Sequence, residues 1–309
     1  MKFFSRDQIL EKLTYERCIP AVRAAMTALS AGETQQLPRG VLPLEGERKF
    51  GVMTGALDGV VGSKLIAIFP ENFERGLSSH HGLVVLFDRD TGIPMAMGEG
   101  SSITAIRTAC ASAVATDALA RPDAHRLLLL GYGEQAETHL QAIRRTRPID
   151  QVTVWGRSAD RAQAFADRVS KETGLAIKVT SSVQDAAGQA DIICTLTHAH
   201  DPILLGAWVR PGTHINAVGS SIPGPVEIDD DLVMKARYVA DSRVNVMMAG
   251  AEFLKAKEAG LIGDEHIVAE IGEVLGGKIP GRRTAEEITL YKSLGHIVQD
   301  LASLAAILD

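Results

Sequence analysis

The chain has 309 residues, which is enough for two domains that each bury a hydrophobic core. Its net charge of −6 and pI near 5.9 argue against a nucleic-acid partner, because surfaces that bind nucleic acid are usually basic. No apolar run approaches the length of a membrane span, and the N-terminus lacks the core of a signal peptide, so we expect a cytoplasmic protein without a membrane partner. Cys18, Cys110 and Cys194 lie far apart, which favours reduced, buried thiols over disulfides or a zinc site.

The first half of the chain predicts a mixed α+β unit. A helical stretch over residues 7–31 precedes short strands that are punctuated by glycine. An alanine-rich helix then carries polar residues such as Thr104 and Arg107 three apart, and we expect it to connect two domains. The predicted strands span residues 51–55, 62–69, 82–88 and 95–98, and the predicted connecting helix spans residues 103–119.

The second half predicts an α/β domain with a Rossmann-type, doubly wound parallel sheet, because short apolar strands alternate with helices. A final long amphipathic helix over residues 284–308 is expected to return across the first domain. The predicted strands after the first span residues 152–155, 177–179, 191–195, 214–218 and 238–241, and helices between them include residues 159–171 and 183–189.

The most specific motif follows the first strand of that sheet. Four leucines run into GYGEQA at 131–136, where the first glycine permits a tight turn, the second leaves room for a pyrophosphate and the alanine lets the helix pack closely. The N-terminus of the following helix favours an anion. An ordinary strand-to-helix turn is the alternative. We expect a nicotinamide dinucleotide to contact Gly131, Gly133, Glu134, Gln135 and Ala136.

The end of the second predicted strand bears on cofactor choice. Proteins that prefer NAD usually carry an acidic residue there, which binds the ribose hydroxyls and repels a 2′-phosphate. This chain has Gly156, Arg157 and Ser158 instead, and the guanidinium and hydroxyl can bind a phosphate. We therefore predict NADPH over NADH, the alternative being that Arg157 is a solvated loop residue.

Two basic residues are ambiguous from the sequence alone. Lys64 lies in a strand whose neighbours are mostly apolar, and an inward-facing lysine there would be desolvated and easily tuned as an acid. Periodicity alone favours a solvent-facing Lys64. Arg107 on the connecting helix is equally consistent with a surface residue.

A set of motifs, taken in order, resembles the ornithine cyclodeaminase/mu-crystallin family over nearly the whole chain. The matching segments are GSK (62–64), PEN (70–72), GL (76–77), DTGIP (90–94), SITAIRTA (102–109), GYGEQA (131–136), TLT (195–197), PGTHINAVG (211–219), EIGE (270–273) and KSLG (292–295). The resemblance implies a homodimer. It also implies a substrate-binding and dimerisation domain over residues 1–118, completed by 290–309, and an NAD(P)-binding Rossmann domain over 119–289.

The resemblance assigns roles to individual residues. Lys64 matches the family's catalytic lysine, and Arg107 matches the arginine that holds the substrate carboxylate, a planar task that suits a guanidinium. Arg39 and Met53 are expected on the substrate side. Further residues are expected to contact the cofactor: Ser79, Thr195, Leu196, Thr197, Val218, Gly219 and Ser293. The resemblance places the nicotinamide near the segments Thr195–Thr197 and Asn216–Gly219.

Two departures from the family pattern weaken one activity. Ornithine cyclodeaminases carry an Asp where this chain has Ser221, and Gly51 stands near a family Glu that helps to read ornithine. Ser221 instead resembles mu-crystallin, whose class reduces cyclic ketimines with NADPH, so we count Ser221 with the catalytic residues. We expect no metal, because His80, His81, His198 and His200 lack a completing ligand set.

The sequence therefore predicts an NADPH-dependent reductase of small α-imino acids, with NADH also possible. Cyclic ketimines such as Δ1-pyrroline-2-carboxylate or Δ1-piperideine-2-carboxylate are the expected substrates. One alternative is ornithine cyclodeaminase, which makes proline and ammonia, or an amino-acid dehydrogenase like alanine dehydrogenase. Another is an NADPH-dependent small-molecule binding protein, although Lys64 and Arg107 argue against binding alone.

Overall fold

A computed structural model describes residues 1–308, with the side chains of 73 and 74 excepted. The chain divides into two compact units, of which unit 1 comprises Met1–Thr108 and the residues from His296 onward, and unit 2 comprises Ala109–Gly295. The divisions fall at 108/109 and 295/296, whereas the sequence placed them at 118/119 and 289/290. The first lies inside one continuous helix, Gly100–Leu119, so composition does not mark it. Position 309, the predicted end of the first domain, lies outside the described residues.

Unit 1 is built on a seven-stranded sheet in the order β1-β7-β6-β5-β4-β2, with β3 also paired to β4. The pairing of β1 with β7 is parallel, and the other pairings are antiparallel. The strands are β1 (Lys2–Phe4), β2 (Gln35–Gln36), β3 (Gly40–Pro43), β4 (Lys49–Leu57), β5 (Val60–Ile68), β6 (His80–Asp88) and β7 (Pro94–Glu99). The helices are α1 (Arg6–Lys12) and α2 (Tyr15–Ala31), followed by α3 (Gly100–Leu119), which contains the division.

The single helix predicted over residues 7–31 is wrong, because the structure has two helices there. Leu13 leaves helical geometry at ψ 67°, and Thr14 is extended and begins α2 as its N-cap. Ser5 begins α1 with a capping box in which its hydroxyl and the Gln8 side chain exchange hydrogen bonds with each other's backbone. The amphipathic pattern continues through the break and conceals it.

Unit 2 is an eight-stranded sheet in the order β10-β9-β8-β11-β12-β15-β13-β14, and every pairing is parallel. The predicted α/β fold class with a Rossmann-type parallel sheet is confirmed. The strands are β8 (Arg126–Leu130), β9 (Gln151–Trp155), β10 (Ile177–Val179), β11 (Ile192–Thr195), β12 (His214–Ala217), β13 (Arg237–Ala240), β14 (Ile267–Glu270) and β15 (Thr289–Lys292), and the α-helices are α4 (Glu134–Ile143), α5 (Ala159–Thr173), α6 (Val183–Ala187), α7 (Asp230–Lys235), α8 (Arg243–Ala249), α9 (Ala251–Glu258) and α10 (Ile271–Leu275).

The position of β8 in this sheet explains its run of four leucines. Residues 127–130 are all buried, because helices cover both faces of a parallel sheet and side chains on either face lie in a core. One large hydrophobic cluster contains Leu128, Leu130, Ile193, Ile215 and Tyr238. The core therefore sits along the strands whose carboxyl ends carry the predicted cofactor segments.

The long final helix predicted over residues 284–308 is wrong. The structure has β15 there, then a turn at Gly295 with φ of 81°, and only then the helix α11 (Ile297–Ala305). This helix packs on α2 and on β4, β5 and β6 of unit 1. Within residues 1–308, no helix combines the length and the apolar character that crossing a membrane requires.

The glycines of the unit 1 strands give α11 room to approach. A Cβ at Gly55 would come within 2.7 Å of Ile297, and one at Gly62 within 2.9 Å of Leu301. The two glycines are register partners on β4 and β5. The glycine punctuation thus serves close packing of the last helix against the sheet.

Candidate active site

Lys64 faces the interior of unit 1. Its side chain is 3% exposed, in step with the alternation that buries Val60 and Gly62 on the same face of β5. Met53 on β4 is its register partner and is also buried, so the two predicted substrate-side residues are neighbours. The Lys64 ammonium donates to Thr104 Oγ1 at 2.6 Å and to Asp300 Oδ1 at 2.9 Å.

Asp300 joins the two predicted cations. Its fully buried Oδ1 also accepts from Arg107 Nε at 3.0 Å, and neighbouring Gln299 accepts from Arg107 Nη1 at 2.7 Å. Arg107 Nη2 makes no hydrogen bond within the described part of the chain, which leaves one end of the guanidinium for a planar anion. We call Lys64, Arg107, Gln299 and Asp300 the anion cluster.

The anion cluster is electrostatically tuned. Burial lowers the pKa of Lys64 to about 8; the carboxylate of Asp300 opposes that fall and the charge of Arg107 adds to it. Burial by itself would raise the pKa of Asp300, but Arg107 and Lys64 outweigh it and the pKa lies below its ordinary value. Asp300 is therefore a carboxylate, and Lys64 can hold or release a proton near neutral pH.

Sequence reasoning missed Asp300 and its neighbour on α11, His296. His296 is the buried N-cap of the helix, its Nδ1 accepts from the Val298 backbone at 3.4 Å, and burial lowers its pKa to about 4. It is neutral at pH 7, and it stands one helical turn before Asp300 on the same face. The available signal was the polar pair Gln299 and Asp300 inside an otherwise apolar amphipathic stretch.

The remaining predicted residues are more dispersed. Arg39 is exposed, yet its charge lowers the pKa of Lys64, which places it near the anion cluster. Ser79 is half-buried and shares a 2.9 Å hydrogen bond with His80 Nδ1. Ser221 is half-buried in a loop of unit 2, and it makes no hydrogen bond with any described residue.

The predicted turn after β8 has the form that a dinucleotide requires. Gly131 has φ of 129°, and a Cβ there would lie 2.7 Å from the Leu196 carbonyl oxygen. Gly133 is the N-cap of α4, and a Cβ there would meet nothing within 4 Å, so the approach to the N-terminal N–H groups is open. Glu134 and Gln135 form the first turn, and Ala136 is buried against the sheet.

The end of β9 presents a free cation. Arg157 is exposed and makes no hydrogen bond with the described residues, while Ser158 caps α5 by accepting from Arg161 N at 3.3 Å. A Cβ at Gly156 would lie 2.1 Å from the Tyr132 ring, so the ring packs directly over the glycine. No carboxylate occurs among residues 155–158.

The segments after β11 and β12 meet at one residue that sequence reasoning missed, Glu227. Its carboxylate accepts from Thr195 Oγ1 at 2.6 Å, from Thr197 N and Oγ1 at 2.7 Å each, and from Gly219 N at 2.7 Å. Leu196 and Val218 lie within the segments so joined. The signal in the sequence was a carboxylate between the apolar residues Val226 and Ile228.

The turn after β15 is held in a similar way. Asp241 Oδ2 accepts from the backbone of Leu294 at 2.7 Å and of Gly295 at 2.8 Å, which fixes the segment that contains Ser293. Burial raises the pKa of Asp241 to about 6, and these backbone hydrogen bonds oppose the rise. Glu227 and Asp241 together therefore hold three of the predicted cofactor segments in place through hydrogen bonds.

Unpartnered polar atoms show that the predicted segments suit a polar ligand. Gln135 Oε1, Asn216 Oδ1 and Ser293 Oγ are buried and have no hydrogen-bond partner in the described chain. Buried polar groups are ordinarily satisfied, so each is an unused hydrogen-bonding position at a predicted cofactor segment. Among residues 1–308, no three His, Cys, Asp or Glu side chains are placed to hold a metal ion.

Comparison with known proteins identifies relatives along the full length. The ornithine cyclodeaminase/mu-crystallin family model matches residues 2–309. Ketimine reductase mu-crystallin of Rattus norvegicus is 36% identical over 316 residues, covering 99% of this chain and 96% of the rat protein.

Solved structures agree with that result. Delta(1)-pyrroline-2-carboxylate reductase of Thermococcus litoralis, in complex with NADH and L-proline, is 33% identical with a TM-score of 0.95, over 100% of this chain and 96% of that one. An archaeal alanine dehydrogenase dimer with bound NAD is 29% identical with a TM-score of 0.94, over 100% and 95%. The chain belongs to the ornithine cyclodeaminase/mu-crystallin family, as its motifs predicted.

Proposed function

We propose that the protein is an NADPH-dependent reductase of small α-imino acids, with cyclic ketimine carboxylates as substrates. The observation that carries the proposal is the anion cluster, in which a buried lysine of lowered pKa and an arginine with a free end share one carboxylate. The enzyme class predicted from the sequence, an NAD(P)-dependent oxidoreductase acting on C–N bonds, is confirmed by the reductases among the relatives.

The two cations of the anion cluster would contact different groups of the substrate. Arg107 Nη2, held in place through Nε and Nη1, would bind the substrate carboxylate. Lys64 would donate a hydrogen bond or proton to the imine nitrogen, and its pKa of about 8 keeps it largely protonated at pH 7. A nicotinamide dinucleotide supplies the hydride equivalent when bound, and the segments around Thr195–Thr197, Gly219 and Ser293 are those expected to hold it.

The preference for NADPH is also part of the proposal. It is supported by the unpaired, exposed Arg157 and by the absence of a carboxylate at the end of β9. The two solved relatives are complexes with NADH and with NAD, so they support a nicotinamide dinucleotide as the cofactor in general. Comparing KM for NADPH and NADH tests the preference, and a tenfold preference for NADH would refute it.

Two other activities use the same cluster. An amino-acid dehydrogenase resembling alanine dehydrogenase would need the same carboxylate clamp, and one solved relative has that activity in its name. An ornithine cyclodeaminase would release ammonia from ornithine without net use of cofactor, and Ser221 in place of an Asp disfavours it. A binding protein without activity would leave NADPH unoxidised with every imine.

One panel of assays separates these activities. NADPH oxidation is followed with Δ1-pyrroline-2-carboxylate, with Δ1-piperideine-2-carboxylate and with pyruvate plus ammonia, beside ammonia release from ornithine. Lys64→Ala should abolish turnover with the cyclic imines while NADPH still binds. Unchanged turnover in Lys64→Ala would contradict the proposed role.

We further propose that the protein is a homodimer. Leu37, Val41 and Leu42, on and next to β3, are 67%, 53% and 59% exposed, which is unusual for apolar residues close together on one edge of a sheet. The archaeal alanine dehydrogenase is described as a dimer. Sedimentation of the wild type and of Leu42→Glu would test the interface, and a monomeric wild type would refute it. The cytoplasmic location stays a prediction.

A further inference from the structure

We propose that Glu227 supplies a negative charge to the nicotinamide end of the cofactor site and so favours the oxidised ring, which is a cation, over the neutral reduced ring. The proposal rests on the proposed nicotinamide-dependent function. It also rests on the rule that ligands of such sheets bind beyond the carboxyl ends of the strands, here β11 and β12.

The geometry makes Glu227 the common support of two loops. Its Oε1 accepts from both the backbone and the hydroxyl of Thr197, and its Oε2 accepts from the Thr195 hydroxyl and the Gly219 backbone. Thr195 ends β11, and Gly219 follows β12, which is the neighbouring strand of the sheet. One carboxylate therefore lies between the two segments that are expected to contact the nicotinamide.

The hydrogen bonds also indicate the charge of Glu227. Four donors fill its acceptor positions, as an ionised carboxylate requires, whereas a protonated acid would itself have to donate. Burial raises the pKa of Glu227, and the donors on Thr195 and Thr197 together with the charge of Lys292 oppose that rise. The donor set is the one that stabilises the anion.

The surroundings of Glu227 leave an excess of negative charge. Lys292 lies 2.7 Å from Glu252 and donates to the Ser220 carbonyl at 2.8 Å, so the buried ammonium near Glu227 is already paired with a second carboxylate. Glu252 in turn accepts from the Glu227 backbone at 3.3 Å. Two buried carboxylates thus share one buried cation.

The loop at Gly219 brings its backbone directly against this charge. A Cβ there would lie 2.5 Å from the Glu227 carboxyl carbon and 2.2 Å from the Thr197 carbonyl oxygen. Only a glycine allows the loop to pass so close. A fixed charge in a preorganised site acts strongly on charge that develops beside it. A nicotinamide ring that gave its hydride to the imine would become one charge more positive.

The experiment measures two dissociation constants, those of NADP+ and NADPH, by isothermal titration calorimetry on the full-length wild type, Glu227→Gln and Glu227→Asp. In Glu227→Gln the ratio of the NADP+ constant to the NADPH constant should rise on the order of tenfold, the effect of one unit charge at about 10 Å with an effective dielectric near 20. Glu227→Asp keeps the charge, so the ratio should stay within about twofold of wild type even if both forms bind more weakly.

A neutral control separates charge from shape. Thr195→Ser keeps the hydroxyl that donates to Glu227 and removes only a methyl group, so the ratio should stay unchanged even if both forms bind more weakly. If Glu227→Gln fails to fold, Glu252→Gln gives a second test in the same direction, because it removes the other buried carboxylate beside Lys292 and should also raise the ratio. An unchanged ratio in a folded Glu227→Gln or Glu252→Gln overturns the inference. A wild type that binds neither NADP(H) nor NAD(H) refutes the proposed function itself.

Discussion

Replacing Asp300 with Asn isolates the charge of the anion cluster from its geometry. Asp300 uses only Oδ1 to accept from Lys64 and Arg107, and its Oδ2 has no hydrogen-bond partner within the described chain. The Asn amide group can occupy the position of Oδ2 while its carbonyl oxygen still accepts both hydrogen bonds. The substitution therefore removes the negative charge and preserves the contacts.

The expected effect is a shift in the pKa of Lys64. In the wild type this pKa is about 8, lowered by burial and supported by Asp300. Loss of an adjacent opposite charge should lower it by roughly 1–3 further units. With a shift of about 2 units, the protonated fraction at pH 7.5 falls from about three-quarters to about 3%, a loss of roughly 25-fold in kcat/KM if the ammonium is the active form.

The assay is kcat/KM for a cyclic ketimine from pH 5.5 to 9.5 with saturating NADPH. Activity should fall as pH rises through the pKa of Lys64, and this basic limb should move to lower pH in Asp300→Asn. Gln299→Leu is the matched control, since it removes one contact to Arg107 without changing charge and should raise KM with the limb in place. A basic limb that stays at the same pH in Asp300→Asn would refute the electrostatic role.

Arg157→Ala should raise KM for NADPH about tenfold and KM for NADH less than about threefold, as steady-state kinetics with both cofactors would show; equal changes would contradict the phosphate contact. Asp191→Asn should lower the free energy of unfolding in urea by about 2–3 kcal/mol, because the buried carboxylate accepts from Arg121 and Arg210; a loss below about 0.5 kcal/mol would contradict this. Burial lowers the pKa of His139 from 6.5 to about 4, so as pH falls the unfolded state takes up this proton before the folded state does and the fold loses stability. Between pH 7 and 5 the free energy of unfolding of the wild type should therefore fall by about 2 kcal/mol more than that of His139→Gln, as urea unfolding at both pH values would show; equal losses would argue against it.

Features that depend on neighbours in sequence were predictable. The turn at Gly131 and Gly133 needs only a strand, two glycines and a helix within a dozen residues, and the structure places all three as expected. The strand over 177–179 was likewise bounded by local composition and coincides with β10. Lys64 is different, because alternation in its strand left its direction open until the buried face of β5 was known.

Features that depend on remote partners were not predictable from local pattern. Glu227 receives donors from residues 30 and 32 positions earlier, and Asp300 from residues 193 and 236 positions earlier, so neither carboxylate has a local signature of its role. The false helix over 284–308 has the same origin. Asp241 holds the backbone at Leu294 and Gly295 in a turn, and the apolar periodicity on either side of the turn gives no sign of that contact.

The position of Asp300 on α11 also sets the order in which the protein can become active. Lys64 and Arg107 are synthesised long before Asp300, and every residue of unit 2 precedes it as well. Because chains begin to fold while they are made, the sheet of unit 2 can form at a stage when the two cations of unit 1 still lack their shared carboxylate. A chain that ended before α11 would leave Gly55 and Gly62 exposed, and its anion cluster would lack Gln299 and Asp300. Catalytic competence would therefore require that α11 has been translated.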